Sequence, residues 1–184
     1  MNALRKSIAL ATTLAAAVAL APAAHAGPPA PDVPGDIAVS ADHKPFLVGH
    51  ATGVQIYPCR LTDAGYAWGA STPRATLVDD SGKPIAEHFG GPSWQAKDGS
   101  LVVGRRDAGV TVDPTAIPWL RLTAASTAAG DYGDRLTRTS YILRTSTTGG
   151  LPPAAADCNA ATVGTGVEVD YTADYTFFKP TAEM

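Results

Sequence analysis

Beyond its N-terminal segment, the chain shows no long stretch of helical 3.6-residue periodicity. Its apolar positions come in short runs, many alternating with polar ones, and Gly, Pro and Asp interrupt them at short intervals. Alternation with period two places one row of side chains on each face of a strand. FLVGHA (46–51) and GVQIYPCR (53–60) read as strands; in the second, Val54, Ile56 and Pro58 alternate with Gln55, Tyr57 and Cys59. RATLVD (74–79) and KPIAEHFG (83–90) flank Asp80-Ser81-Gly82, a hairpin signal. PSWQA (92–96) and SLVVGRR (100–106) flank a second such signal, Lys97-Asp98-Gly99. GVTVD (109–113), IPWLRLTA (117–124), TRTSYILRTST (137–147) and GVEVDYTADYTFFKP (166–180) complete the series. The alanine-rich segments at 124–130 and 153–162 read as loops. Strands this short and this closely spaced predict an all-β fold: an antiparallel β-sandwich or barrel-like single domain with long loops, spanning 36–180.

The N-terminal segment is different in kind. Arg5 and Lys6 precede an alanine-rich apolar run, and Ala24-His25-Ala26 ends it with small residues around one larger one. This is the layout of a secretory signal peptide over residues 1–26. The apolar run is shorter than the ~20 residues that a spanning helix needs. No second long apolar run follows, so no integral membrane segment is expected after cleavage. Residues 27–35 (GPPAPDVPG) read as a proline-rich extended leader.

Cleavage would change the charge. The signal holds two of the 14 basic residues and none of the 17 acidic ones, leaving 12 − 17 = −5. The two signs are interspersed without a basic stripe, which argues against nucleic acid as a partner. Cys59 and Cys158 are the two cysteines of the chain. In an exported protein an even count predicts a disulfide, and neither cysteine lies in a metal-type or redox-type spacing.

Candidate chemistry concentrates in EHFGGPSWQAKDGS (87–100). His43, His50 and His88 show no H-x-H or H-x-x-x-H pairing, so no metal site and no cofactor is expected. No G-x-S-x-G elbow is present, and Ser93 near His88 is the one serine worth weighing as a nucleophile. Glu87 with Asp98 or Asp107 would be the carboxylate pair of a glycosidase. Against these stands a plain structural reading: a strand end, a Gly90-Gly91-Pro92 bend, a second strand and a turn. Trp68, Trp94, Trp119 and several tyrosines, Tyr57 among them, offer flat faces for a sugar or an apolar ligand.

GVQIYPC, TLVDDSGKP, HFGGPSWQAKDGS, IPWLRL, TTGGLPP with the following Cys158, and YTADYTFF occur in that order. Together they resemble a family of secreted bacterial and fungal proteins known as domain of unknown function 3455. The resemblance runs from Asp36 to Lys179. Its central motif, H-x-x-GP-T/S-W-x-x-x-DGS, falls on His88, Gly91, Pro92, Ser93, Trp94, Asp98, Gly99 and Ser100. The resemblance implies a secreted, β-rich domain and no established activity, substrate or cofactor. Some fungal relatives carry a malate dehydrogenase label. This chain has no G-x-G-x-x-G between a strand and a helix, so nucleotide binding does not transfer.

The sequence therefore predicts a secreted, non-catalytic domain that binds a small molecule, a glycan or a cell-envelope surface. His88, Trp94, Asp98 and Tyr57 are its candidate ligand-binding residues. The alternative is a secreted hydrolase or metal-binding enzyme centred on His88 and Asp98.

Overall fold

The structure, a computed structural model, describes residues 27–182. The expected signal peptide lies outside the described residues. Nine strands carry the fold: β1 (His43–Thr62), β2 (Gly65–Trp68), β3 (Thr72–Val78), β4 (Pro84–Phe89), β5 (Ser93–Ala96), β6 (Leu101–Val110), β7 (Trp119–Ala128), β8 (Tyr141–Gly149) and β9 (Gly166–Pro180). Two short 3-10 turns, Gly35–Ile37 and Ala155–Asp157, are the helical content among the described residues. Among those residues no helix is long and apolar enough to cross a membrane.

Every neighbouring pair is antiparallel, and β3 to β9 follow one another around the sheet in chain order. The ring closes on β1. His50 sits opposite Val78 of β3 on one side and Asp174 of β9 on the other. β1 with β3 to β9 thus makes an up-and-down barrel, and β2 extends the β3 side along the end of β1. Of the two architectures expected, the barrel forms. Closure satisfies the backbone groups that an open sheet would leave at its edges. An eight-stranded barrel has an interior just wide enough to be filled by side chains or to hold one small ligand.

The interior follows from alternation. Leu47, Ala51, Gln55 and Tyr57 of β1 are buried, and Ala173, Tyr175 and Phe177 are buried beside them on β9. Leu77, Ala86, Trp94, Val102, Leu122 and Ile142 fill the space between. His50, by contrast, points outward from β1, where its Nδ1 lies 2.7 Å from Asp174 Oδ1 and its Nε2 2.9 Å from Asp80 Oδ1.

Several expected boundaries move, and the run expected over 137–147 is strand only from Tyr141, reaching Gly149. The runs 46–51 and 53–60 are one strand of 20 residues. The runs 100–106 and 109–113 merge through Asp107 into β6, which absorbs the irregular residues as a bulge between Arg106 and Ala108. The alanine-rich stretch expected as a loop at 124–130 is strand as far as Ala128. There the ladder with β6 pairs Leu101 with Ala128, and tertiary pairing overrides weak local preference. The 153–162 segment is a loop with one 3-10 turn, and Cys59 and Cys158 form the disulfide. Residues 27–34 carry no regular secondary structure, and Pro28 and Pro31 are half-buried on a surface they share with Val48 and Asp174.

Candidate functional site

The β4–β5 hairpin builds the centre of the site. Gly90-Gly91-Pro92 turns the chain so that Phe89 pairs with Ser93 and His88 with Trp94. Paired residues share a face, so both rings enter the barrel. They stack with centroids 4.3 Å apart and planes 7° from parallel. His88 is 3% exposed and Trp94 is fully buried. Tyr175 closes in from β9, 5.0 Å from the His88 ring and 5.3 Å from the Trp94 ring. On β6 the residue facing the indole is Gly104. A Cβ there would lie 3.1 Å from Trp94 Cζ3, so the glycine makes room for the large ring.

Burial and bonding fix the protonation of His88. Its Nδ1 lies 2.9 Å from the carbonyl oxygen of Ser93, which can only accept, so Nδ1–H donates and Nε2 carries the free lone pair. Burial pushes its pKa down to about 4; the Ser93 carbonyl opposes this and the nearby Arg144 charge adds to it. The imidazole is therefore neutral at ordinary pH. Burial likewise raises the phenol pKa of Tyr57, Tyr171 and Tyr175, and these groups stay protonated.

A cavity of about 180 Å³ opens beside this cluster. Gln55, His88, Trp94, Arg106, Arg144 and Tyr175 supply its polar and aromatic lining, and Leu120 and Leu122 its apolar wall. Gln55 Oε1 accepts from Ser71 Oγ at 2.7 Å, while its Nε2 has no hydrogen-bond partner. The indole Nε1 of Trp94 also has none. Trp68 differs: its Nε1 donates to the Ala154 carbonyl at 3.0 Å. Arg144 reaches Pro118 O through Nε at 3.1 Å and Nη2 at 2.8 Å.

The remaining candidates lie elsewhere. Successive turns of an up-and-down barrel fall at opposite ends, so the turn carrying Asp98 is at the other end from Gly90-Gly91-Pro92. Along β5 the chain runs roughly 13 Å from Trp94 to Asp98 at about 3.3 Å per residue. Asp98 Oδ1 accepts from Ser100 N (2.9 Å) and Oγ (2.6 Å), and Oδ2 accepts from Arg135 N (2.9 Å). Burial alone would raise its pKa; these hydrogen bonds outweigh burial and hold it below the ordinary carboxylate value. Tyr57 donates to Gly150 O at 2.7 Å and fastens the β8–β9 loop. Glu87 faces out to Thr76 and Lys97, and Asp107 to Arg121. His43 and His50 each bond aspartates on the outside of the barrel. Among the described residues no group of three His, Cys, Asp or Glu is placed to hold a metal ion.

The structure thus brings His88 and Trp94 together, while Asp98 and Tyr57 are bonded elsewhere, to Ser100 and Arg135 and to Gly150. Sequence reasoning missed Gln55, Arg106 and Arg144, and had Tyr175 only as one of several tyrosines with a flat face to offer. One signal was present: in SYILRTS, Arg144 shares a face with Ile142, which puts a guanidinium beside an apolar residue on the same row.

Residues 40–179 match the model of one protein family, described as "Protein of unknown function (DUF3455)". No curated protein and no solved structure matches the chain.

Proposed function

The chain belongs to the DUF3455 family of proteins of unknown function, and from that premise we propose that it is a non-catalytic barrel that binds a small molecule in the cavity beside His88 and Trp94. The observation that carries this reading is that two residues lining this cavity, Gln55 and Trp94, each hold a buried side-chain donor without a partner, Nε2 and Nε1. Buried polar groups in native structures are almost always hydrogen-bonded, because an unmade bond costs about 1–3 kcal/mol. Two of them in the residues around one opening are what a ligand could satisfy by a small shift of those side chains.

The size of the cavity narrows the ligand. Drug-sized molecules occupy roughly 300–1,000 Å³, whereas a cavity of ~150 Å³ takes benzene. About 180 Å³ suits a single ring or a short chain. A hydrolase centred on His88 and Asp98 has no observation in its favour, since the two residues share no hydrogen bond and Asp98 is occupied in its own turn. The working compartment is an oxidising one outside the cytoplasm. The N-terminal signal pattern and the disulfide both support it.

The test is a ligand-observed NMR screen of single-ring fragments, neutral and charged, against wild type and Ser71→Phe, which places a ring at the cavity rim. Fragments that bind wild type and lose binding in a folded Ser71→Phe protein are expected. Fragments that bind neither protein, or both equally, would contradict the pocket reading.

A further inference from the structure

We propose that the cavity takes a small organic carboxylate, its charge held by Arg144 and Arg106 and its apolar body lying against Leu120, Leu122 and the indole edge of Trp94. This rests on the pocket reading above and adds the chemistry of the ligand.

Charge inside the barrel carries the argument. The buried polar residues are Gln55, His88, Ser93, Ser100, Thr139, Thr145, Thr147 and Thr176, and none of them is an acid. Arg144 nevertheless brings a guanidinium into this interior from β8. Its hydrogen bonds run to one neutral carbonyl, Pro118 O, through Nε and Nη2. Neither it nor Arg106 is in an ion pair among the described residues. The lining thus holds two cations and no anion.

A partly buried charge without a counterion is costly, and a carboxylate brought by a ligand would remove that cost. Guanidinium suits the role. Its planar fork matches a carboxylate with two parallel hydrogen bonds, and Arg144 has donors left over after Pro118. The other polar groups are compatible. Gln55 Nε2 and Trp94 Nε1 are free donors, and neutral His88 offers its Nε2 lone pair to a ligand hydroxyl.

An inorganic anion would fit less well. The Leu120 and Leu122 side of the cavity gives a phosphate or sulfate nothing to bond. An organic acid uses both halves, and at about 180 Å³ one ring with one carboxylate fills the space.

The experiment compares benzoate with its neutral isostere benzamide, and with inorganic phosphate, by titration calorimetry on the mature protein. Wild type should bind benzoate about tenfold or more tighter than benzamide. Arg144→Gln should erase that preference while leaving benzamide binding in place. Arg106→Gln, at the exposed rim, should weaken benzoate by a smaller factor and flatten its salt dependence; it keeps the test valid if Arg144→Gln does not fold. Benzamide binding as tightly as benzoate in wild type would overturn the carboxylate proposal and leave the pocket reading standing. Phosphate binding as well as benzoate would also overturn it. No binding of either ring compound would count against both.

Discussion

His88 and Trp94 lie ring on ring, 4.3 Å apart, because β4 and β5 pair them across a three-residue turn. That contact explains why a histidine and a tryptophan stand six residues apart around Gly-Gly-Pro. The turn sets the register, the register puts both rings inside the barrel, and the stacked pair becomes one wall of a cavity. The stretch is a strand, a turn and a strand; its inward rings also make it part of the candidate site.

Acid should destabilise the protein through His88. Its pKa is depressed to about 4 in the folded state by burial, against an ordinary value of about 6.5. The stabilisation is full above pH 6.5 and is lost as pH falls towards 4, because the unfolded chain takes up the proton first. At about 1.4 kcal/mol per unit, the window is worth about 3 kcal/mol. The charged and titratable groups around the imidazole are Arg144 and Tyr175, and burial raises the Tyr175 pKa so that its phenol stays protonated in that range. Urea unfolding of wild type at pH 7 and pH 4.5 should show the loss, and His88→Gln should remove most of it. An equal loss in the variant would contradict this assignment.

His50 should act in the opposite sense. Hydrogen bonds that its ring N–H groups donate to Asp80 and then Asp174 raise its pKa. Its contribution is therefore present below pH 6.5 and is lost as pH rises through the raised folded value. Melting curves of His50→Gln and wild type should differ most at pH 6 and converge at pH 9. A gap that widens towards pH 9 would show the sign to be wrong.

Asp98→Ala should cost stability and spare the cavity. The carboxylate holds Ser100 and the backbone of Arg135 at the far end of the barrel. Losing these bonds should lower unfolding free energy by about 1–2 kcal/mol. Affinity for any ligand that binds wild type should stay within about twofold, a small fraction of the ~1.4 kcal/mol that a tenfold change represents. A large affinity loss in a folded Asp98→Ala protein would restore the enzyme reading centred on His88 and Asp98.

Gly130→Ala tests the same end by packing. A Cβ there would lie 2.2 Å from the Asp98 carbonyl oxygen and from the Gly99 carbonyl carbon, both backbone atoms. Backbone cannot swing aside as a side chain does, so a loss of about 1–3 kcal/mol is expected. Gly35→Ala meets nothing within 4 Å and serves as the neutral control. Equal melting temperatures for the two variants would refute the packing argument.

Reduction should loosen the cavity end. The disulfide ties Cys59, at the end of β1, to Cys158 in the β8–β9 loop across a sequence separation of 99. Chain-entropy estimates give about 4–5 kcal/mol for a loop that long, before any native strain. Dithiothreitol, or the Cys59→Ala and Cys158→Ala pair, should lower the melting temperature clearly. An unchanged melting point would show that the Tyr57–Gly150 and Trp68–Ala154 hydrogen bonds suffice to hold the loop.

Local features were legible in the chain because they depend on local chemistry. The final strand, Gly166–Pro180, has the bounds its alternation predicts. Asp80-Ser81-Gly82 and Lys97-Asp98-Gly99 turn the chain where expected. The split at Thr52 misled: the strand runs through it, and the neighbouring Gly53 lies mid-strand where a Cβ would lie 2.2 Å from Arg74 O across the ladder. Closure was not legible, because pairing His50 with Asp174 joins positions 124 residues apart that no local pattern connects. The cavity was half legible. Alternation gives two faces to Gln55 and Arg144 without saying which face a cavity will meet, whereas the rings of His88 and Trp94 stand out by type.

The most direct test of the pocket is the indole N–H of Trp94 in a proton–nitrogen correlation spectrum. Trp94→Phe assigns the resonance; Trp94→Ala would cost about 3–5 kcal/mol and confound it. On titration with benzoate the Trp94 signal should move and saturate, because its ring lines the cavity and its donor is unpartnered. The Trp68 signal, already bonded to Ala154 O, should stay in place. A Trp94 resonance that stays fixed while a full panel of single-ring acids and their neutral isosteres is titrated would contradict the account.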